Sequence, residues 1–388
     1  MRIAPALRML LTLGLISGSA PLRAQPLLLS ANDGLQNFAD GAYHMRPKPG
    51  SGTLSAFDLS VQPPRPLWQV PIDQTAVGPP TAIAAVPGGR LALIANPAVL
   101  DPVDPGKIKR TEDLQILDFA ASPPGVVRLS IHHHPWNVAM SPDGRLAATA
   151  NGDGTLTLLR IEGASVTILR DIPVGTPTSL DTGIAFSRDG RFLLVSRRHD
   201  DVVTIFRVAD ETLTVVRDIT VGSNPYEIVT SPDGKLAVVS NIGRNSGDRD
   251  SVTLIDMAAN PVRAIGVVSV GPTPEGLAVS PDSRWLAVNS INGSNLKPGD
   301  PFRGDHSLIQ LFALSADGAR LVGTTEVGPN AQGVAFTPDN STLVVQDFAT
   351  DALRFFAVGP DGLQQNHDPI PVDGGPSALA VVLLNSTP

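Results

Sequence analysis

The chain has no cysteine in 388 residues. That one absence excludes disulfides, thiolate metal sites, cysteine nucleophiles, a lipidated N-terminal cysteine and covalent haem attachment. Long hydrophobic runs are also missing. The longest, Met9 to Ile16, is about half the roughly 20 residues a membrane-spanning helix needs. Basic residues are in the minority, 29 Lys+Arg against 37 Asp+Glu for a net charge of −8, which argues against a nucleic-acid surface. No Gly-x-Ser-x-Gly elbow and no Walker-type phosphate loop occurs. No stretch of useful length has helical periodicity.

The apolar run at the N-terminus follows Arg2 and Arg8 and precedes the small residues Ser17 to Ala20. Basic region, short apolar core and small-residue exit are the order of a secretory signal. We expect a signal peptide over 1–24, with cleavage after Ala24, since a cut after Ala20 would leave Pro21 next to the scissile bond, and a buried N-terminal helix as the alternative. The expected location is therefore periplasmic or secreted, with no membrane span. Residues 25–388 are expected to form one domain. Without disulfides, an exported chain of this length must rely on a large core.

What is abundant is turn chemistry, with 36 Gly and 36 Pro. Ser141-Pro142-Asp143-Gly144 recurs as Ser187-Arg188-Asp189-Gly190, Ser231-Pro232-Asp233-Gly234, Ser280-Pro281-Asp282-Ser283 and Thr337-Pro338-Asp339-Asn340, with a weaker copy at Val86-Pro87-Gly88-Gly89. The copies start at 86, 141, 187, 231, 280 and 337, so the period lies between the forties and the fifties. Each turn sits between two short apolar strands, and an alternating third strand and a variable fourth follow. Four strands at this period predict propeller blades.

The fold class is therefore all-β: a β-propeller of four-stranded antiparallel blades. Six turns give six blades, and the termini supply a seventh. Gly375 to Val381 reads as an innermost strand with no successor, while Pro26 to Ser30 and Gly52 to Leu59 read as second and third strands with no first. Pairing the N-terminal strands with the C-terminal strand closes the ring and removes the exposed edges. Six or eight blades are the alternatives.

Strand order places the starts of the innermost strands and the second-to-third-strand loops on one face. The long insertions, Ala31 to Ser51, Asn96 to Asp113, Ile242 to Asp250 and Ile291 to His306, all fall in those loops. Insertions gathered on one face of a repeat protein mark a binding face. The channel mouth there should be lined by Trp136, Asn137, Asp181, Tyr226, Glu227, Glu275, Gln332 and His306, our candidates for ligand contact. The run His132-His133-His134-Pro135-Trp136 stands out, because imidazole suits proton transfer near neutral pH and also ligates metals. Alternation along a strand would let only His132 and His134 share a direction, and a metal on that pair would need Asp181 or Glu227 as a third ligand. The other reading is a polar loop with Trp136 packed on its neighbour. We expect no metal and no cofactor.

Tyr226-Glu227-Ile228-Val229-Thr230-Ser231-Pro232-Asp233-Gly234-Lys235-Leu236-Ala237-Val238-Val239-Ser240-Asn241 resembles the repeats of the lactonase and YVTN-type seven-bladed propellers, which include 6-phosphogluconolactonase and carboxy-muconate cyclase. The resemblance implies the propeller fold over about Pro26 to Leu384. It also implies metal-free ring opening or closing of lactones by an inner-strand histidine with arginines and a glutamate from adjacent blades. His132 to Trp136 resembles the histidine-bearing segment. Where the next blade would carry an arginine this chain has Asp181-Thr182-Gly183, and where a glutamate would follow it has Arg197-Arg198-His199. On this reading His132 or His134 shuttles the proton and Arg197, Arg198 or Arg244 clamps the anion. The expected ligand is a small cyclic acid ester or a related small molecule. The alternative is a non-catalytic propeller whose insertion-rich face holds a protein or polymer partner.

Overall fold

The computed structural model describes residues 25–104, 106–315 and 318–384. The expected signal peptide, 1–24, lies outside them. The described residues form seven antiparallel blades around a ring, each of four strands, with the short strand Ile370–Pro371 added to blade 7. The innermost strands are Gly375–Leu384 in blade 1, then Ile83–Ala85, Asn137–Met140, Asp181–Phe186, Pro225–Thr230, Pro274–Val279 and Ala331–Phe336 in blades 2 to 7. No α-helix occurs among the described residues, only the short 3-10 turns Arg198–Asp200 and Phe348–Thr350.

Ring closure follows the expectation. Gln25–Asp33 pairs with Gly375–Leu384 on one side and with Gly52–Asp58 on the other, so blade 1 is built from both ends of the chain. Leu28 and Phe57 of that blade bury against Val344 and Phe355 of blade 7. The other clusters likewise span neighbouring blades, as Leu194 and Ile205 meet Ile228 and Val239. The core thus lies between blades, and alternation along each strand supplies it from both faces of every sheet.

The repeated turn is held by its own side chains. Ser231 Oγ donates to Asp233 Oδ1 at 2.7 Å, and Asp233 Oδ1 also accepts from the Lys235 amide at 3.1 Å. The amide of Leu236 donates back to Ser231 Oγ at 2.9 Å. Gly234 takes φ of 75°, the left-handed conformation that favours glycine. The same triangle recurs at Ser141, Ser187, Ser280 and Thr337. Partial burial alone would raise the Asp233 pKa, but the Ser231 hydroxyl and Lys235 hold it below the usual carboxylate value.

Two features of the opposite face were not foreseen. The first insertion folds into a hairpin, Gln36–Ala39 with Ala42–Met45, and the second into Ala98–Leu100 with Ile108–Arg110. In addition, the innermost strands of blades 4 to 7 have a register shift at their first residues. Such bulges re-aim side chains where regular pairing would turn them alternately up and down.

Candidate active site at the axial mouth

The bulges build the site. Second-strand side chains hold the displaced backbone: Gly183 N donates to Ser196 Oγ at 2.6 Å, Glu227 N to Ser240 Oγ at 3.0 Å and Gly333 N to Gln346 Oε1 at 3.2 Å. Other bonds cross between blades. Thr182 Oγ1 donates to the Tyr226 carbonyl at 3.0 Å, and Asn289 Nδ2 to the Gln332 carbonyl at 2.7 Å. These bonds fix the backbone that carries Tyr226, Glu227 and Gln332.

Arg198 completes this group from blade 4. Its strand ends at Arg197, and the 3-10 turn lifts Arg198 to the mouth, its amide bonded to the Leu180 carbonyl at 3.1 Å. Its guanidinium lies over the Tyr226 ring, 5.4 Å from the centroid. Nε is buried without a hydrogen-bond partner. Among the described residues the guanidinium is in no ion pair, and it acts electrostatically on Glu275. Arg197, one residue earlier, is fully engaged, with Nε 2.7 Å from Asp200 and Nη1 2.9 Å from Asp218. Of the two neighbouring arginines, Arg197 is held by two aspartates and Arg198 forms no ion pair among the described residues.

Two carboxyls face this region. Burial pushes Glu275 up to about 7, against the pull of Arg198 and of the Gln332 amide. Glu227 is fully buried, which raises it well above the ordinary value. Its Oε2 accepts from the Leu277 amide at 3.2 Å, so it braces the strand that carries Glu275. Gln332, 1% exposed, is placed against Glu275 from blade 7. A carboxyl that exchanges its proton near neutral pH, beside an unpaired guanidinium, is a pairing suited to general acid–base chemistry on an anionic intermediate.

The remaining sequence candidates are distributed elsewhere. His132 is not on a strand: its φ is 61° and its side chain is 82% exposed beside Glu112. Strand alternation does not govern the triplet, because the innermost strand begins only at Asn137. His134 Nδ1 donates to the Thr111 carbonyl at 2.9 Å. Trp136 packs its indole on Gly152, and Asn137 is buried, donating to Thr81 Oγ1 at 3.1 Å. The unforeseen member of the triplet is His133, with Nδ1 2.7 Å from Asp153 and Nε2 3.5 Å from Asp171. Asp181 is fully buried, and burial pushes it up to about 7 against the attraction of Arg197. Arg244 and His306 lie exposed on the insertions of blades 5 and 6. Among the described residues, no three His, Asp or Glu side chains are grouped to hold a metal ion.

The sequence reading missed Tyr43. It belongs to the blade 1 hairpin, yet its hydroxyl accepts a 2.9 Å bond from Asn330 of blade 7. Nothing local in the sequence signals a contact across 287 residues.

Comparison with known proteins agrees with this architecture. The family described as Lactonase, 7-bladed beta-propeller matches residues 175–255, and the WD domain, G-beta repeat matches 125–158. No protein of curated function matches the chain. Among solved structures, a candidate 6-phosphogluconolactonase from Bacteroides uniformis superposes with a TM-score of 0.68 at 16% identity, covering 93% of this chain and 100% of the other. The periplasmic gluconolactonase of Pseudomonas aeruginosa gives 0.65 at 20% identity, covering 93% and 100%. A chain of the mitotic checkpoint complex gives 0.58 at 14%, covering 78% and 80%. No described helix is long and apolar enough to cross a membrane. By the family match over residues 175–255 and by fold over nearly its whole length, the chain resembles the lactonase-type seven-bladed β-propellers.

Proposed function

We propose that this protein is an exported lactonase, hydrolysing a small hydroxylated cyclic ester at the axial mouth. The observation that carries the reading is Arg198: a guanidinium with no ion pair among the described residues, held on an aromatic ring and close enough to act on Glu275, a carboxyl that burial pushes up to about 7.

Glu275, ionised, accepts a proton from water as the water oxygen forms a bond to the lactone carbonyl carbon. The carbonyl π pair moves onto oxygen, and Arg198 stabilises the resulting oxyanion. As the C=O bond re-forms, the ring C–O bond breaks, and the leaving alkoxide takes the proton back from Glu275. Lactone plus water gives the open hydroxy acid, and the enzyme is returned to its starting state. Gln332 and the Tyr226 hydroxyl offer polar contacts to substrate hydroxyls. In this scheme Arg198 fills the anion-clamp role expected of the arginines, and Glu275 takes the proton-transfer role expected of His132 or His134. Export is supported by the signal-like N-terminal sequence and by the periplasmic location of the Pseudomonas relative.

The test is turnover of a lactone panel, including D-glucono-δ-lactone, above spontaneous hydrolysis, beside Glu275→Gln. Turnover that is lost in the variant supports the reading. No turnover on any lactone would overturn it and favour a scaffold that binds a protein partner through the insertion-bearing face.

A further inference from the structure

The hairpin Gln36–Met45 leaves blade 1, passes over blade 7 and reaches blade 6. Its turn at Gly41 abuts the Leu296 carbonyl so closely that any side chain there would collide. Its base is fastened by Arg46, which donates to both carboxylate oxygens of Asp351 at 2.7 and 3.1 Å and to the Gln36 carbonyl at 3.0 Å. Tyr43 stands edge-on between Phe38 (5.3 Å) and the buried Phe348 (5.5 Å). These contacts fix the direction of a side chain that would otherwise be loose on an exposed insertion.

The hydroxyl is the informative part. Although 41% of Tyr43 is exposed, its oxygen turns inward and accepts from Asn330 Nδ2. Asn330 is itself 2% exposed, and its carbonyl accepts from Gln332 Nε2 at 3.4 Å. Gln332 is in turn the residue set against Glu275. The chain of contacts from Tyr43 therefore ends on the carboxyl assigned above. The Tyr43 oxygen accepts in its only hydrogen bond, so its proton has no acceptor among the described residues. A phenol held by three contacts, with its donor unused at the end of the Asn330–Gln332–Glu275 chain, is arranged to meet something that is not part of the protein.

We propose that Tyr43 is a catalytic residue of the axial site, donating a hydrogen bond to the substrate carbonyl oxygen as it becomes an oxyanion opposite Arg198. The hairpin is thus one wall of the active site, supplied by blade 1 to a mouth formed by blades 4 to 7. Burial and the nearby Glu275 raise the Tyr43 pKa, so the phenol keeps its proton at working pH, as a donor must. The proposal rests on the lactonase reading.

The test compares wild type, Tyr43→Phe and Arg46→Ala on D-glucono-δ-lactone, with binding of the hydrolysis-resistant δ-gluconolactam measured alongside. Phenylalanine keeps both ring contacts and removes only the hydroxyl. A donor used in the transition state is worth on the order of 100-fold in kcat, with KM little changed. That loss in Tyr43→Phe, with a smaller effect of Arg46→Ala, supports the proposal. Wild-type turnover by Tyr43→Phe overturns it and leaves the lactonase reading standing. Equal losses in both variants also overturn it, because the hairpin and not the hydroxyl would then matter. If wild type neither hydrolyses the lactone nor binds the lactam, both readings fall together.

Discussion

The guanidinium of Arg198, from blade 4, lies 5.4 Å above the ring of Tyr226, from blade 5, and this cation–π contact stands where an ion pair would usually be found. A ring face holds a cation without neutralising it, so the charge stays available to a ligand. Such contacts are worth up to about 2 kcal/mol when desolvated. Tyr226→Leu should therefore lower kcat/KM by roughly tenfold, and Tyr226→Phe, which keeps the ring face, much less. Steady-state kinetics of the two variants checks this.

In the proposed reaction Glu275 sets the pH dependence. A general base acts when ionised, and burial has moved this carboxyl up to about 7. The kcat/KM of wild type should rise with pH through about 7 and level off above it. Glu275→Asp, if active, should keep a rising limb, whereas Glu275→Gln should abolish the pH-dependent turnover. The pH–rate profile is the measurement.

The mouth should also discriminate by charge. Among the described residues Arg198 is the cation set against Tyr226 and Glu275, and Glu275, once ionised, offsets its charge. A phosphoryl group brings a charge of about −1.5 to −2 that this balance opposes. Although one structural relative is a candidate 6-phosphogluconolactonase, D-glucono-δ-lactone should exceed its 6-phosphate by about tenfold or more in kcat/KM, a difference of about 1.4 kcal/mol. Competition between the two lactones decides it.

Stability should change with pH at a different place, His133. Burial disfavours its charge, but bonds to Asp153 and the charges of Asp153 and Asp171 outweigh that and raise its pKa above 6.5. A raised folded-state value means the stabilisation is full below the unfolded pKa and is lost as pH rises through the folded one. The melting temperature of wild type should therefore drop more than that of His133→Gln between about pH 6 and pH 8. Added salt should shrink the difference, because the site is partly exposed.

The sequence showed the ring through features that are local and repeated. Ser231-Pro232-Asp233-Gly234 closes its turn with its own hydroxyl and carboxylate, so five such copies could be read without any tertiary information. Blade 1 was legible because Gly375 to Val381 and Pro26 to Ser30 were each incomplete in complementary ways. The site was only partly legible. Tyr226, Glu227, Glu275 and Gln332 follow from their place at the start of innermost strands, but the register shifts at Pro225 and Pro274 that aim them do not. The geometry of the histidine triplet was not legible, because His132 has a positive φ and the strand starts five residues later. Arg197 and Arg198 look alike in sequence and differ only through Asp200 and Asp218, which reach the first and not the second. Tyr43 was hidden because its partners, Asn330 and Phe348, come from the far end of the chain.

The most direct test of the account is the initial rate of D-glucono-δ-lactone hydrolysis by Arg198→Met, measured beside wild type and Arg197→Met at pH 7.5. Arg198→Met should lose on the order of 100-fold or more in kcat, as removal of an oxyanion-stabilising group does. Arg197→Met, already bound to two aspartates, should lose far less. Equal rates in wild type and Arg198→Met would contradict the assignment of the axial mouth as the active site.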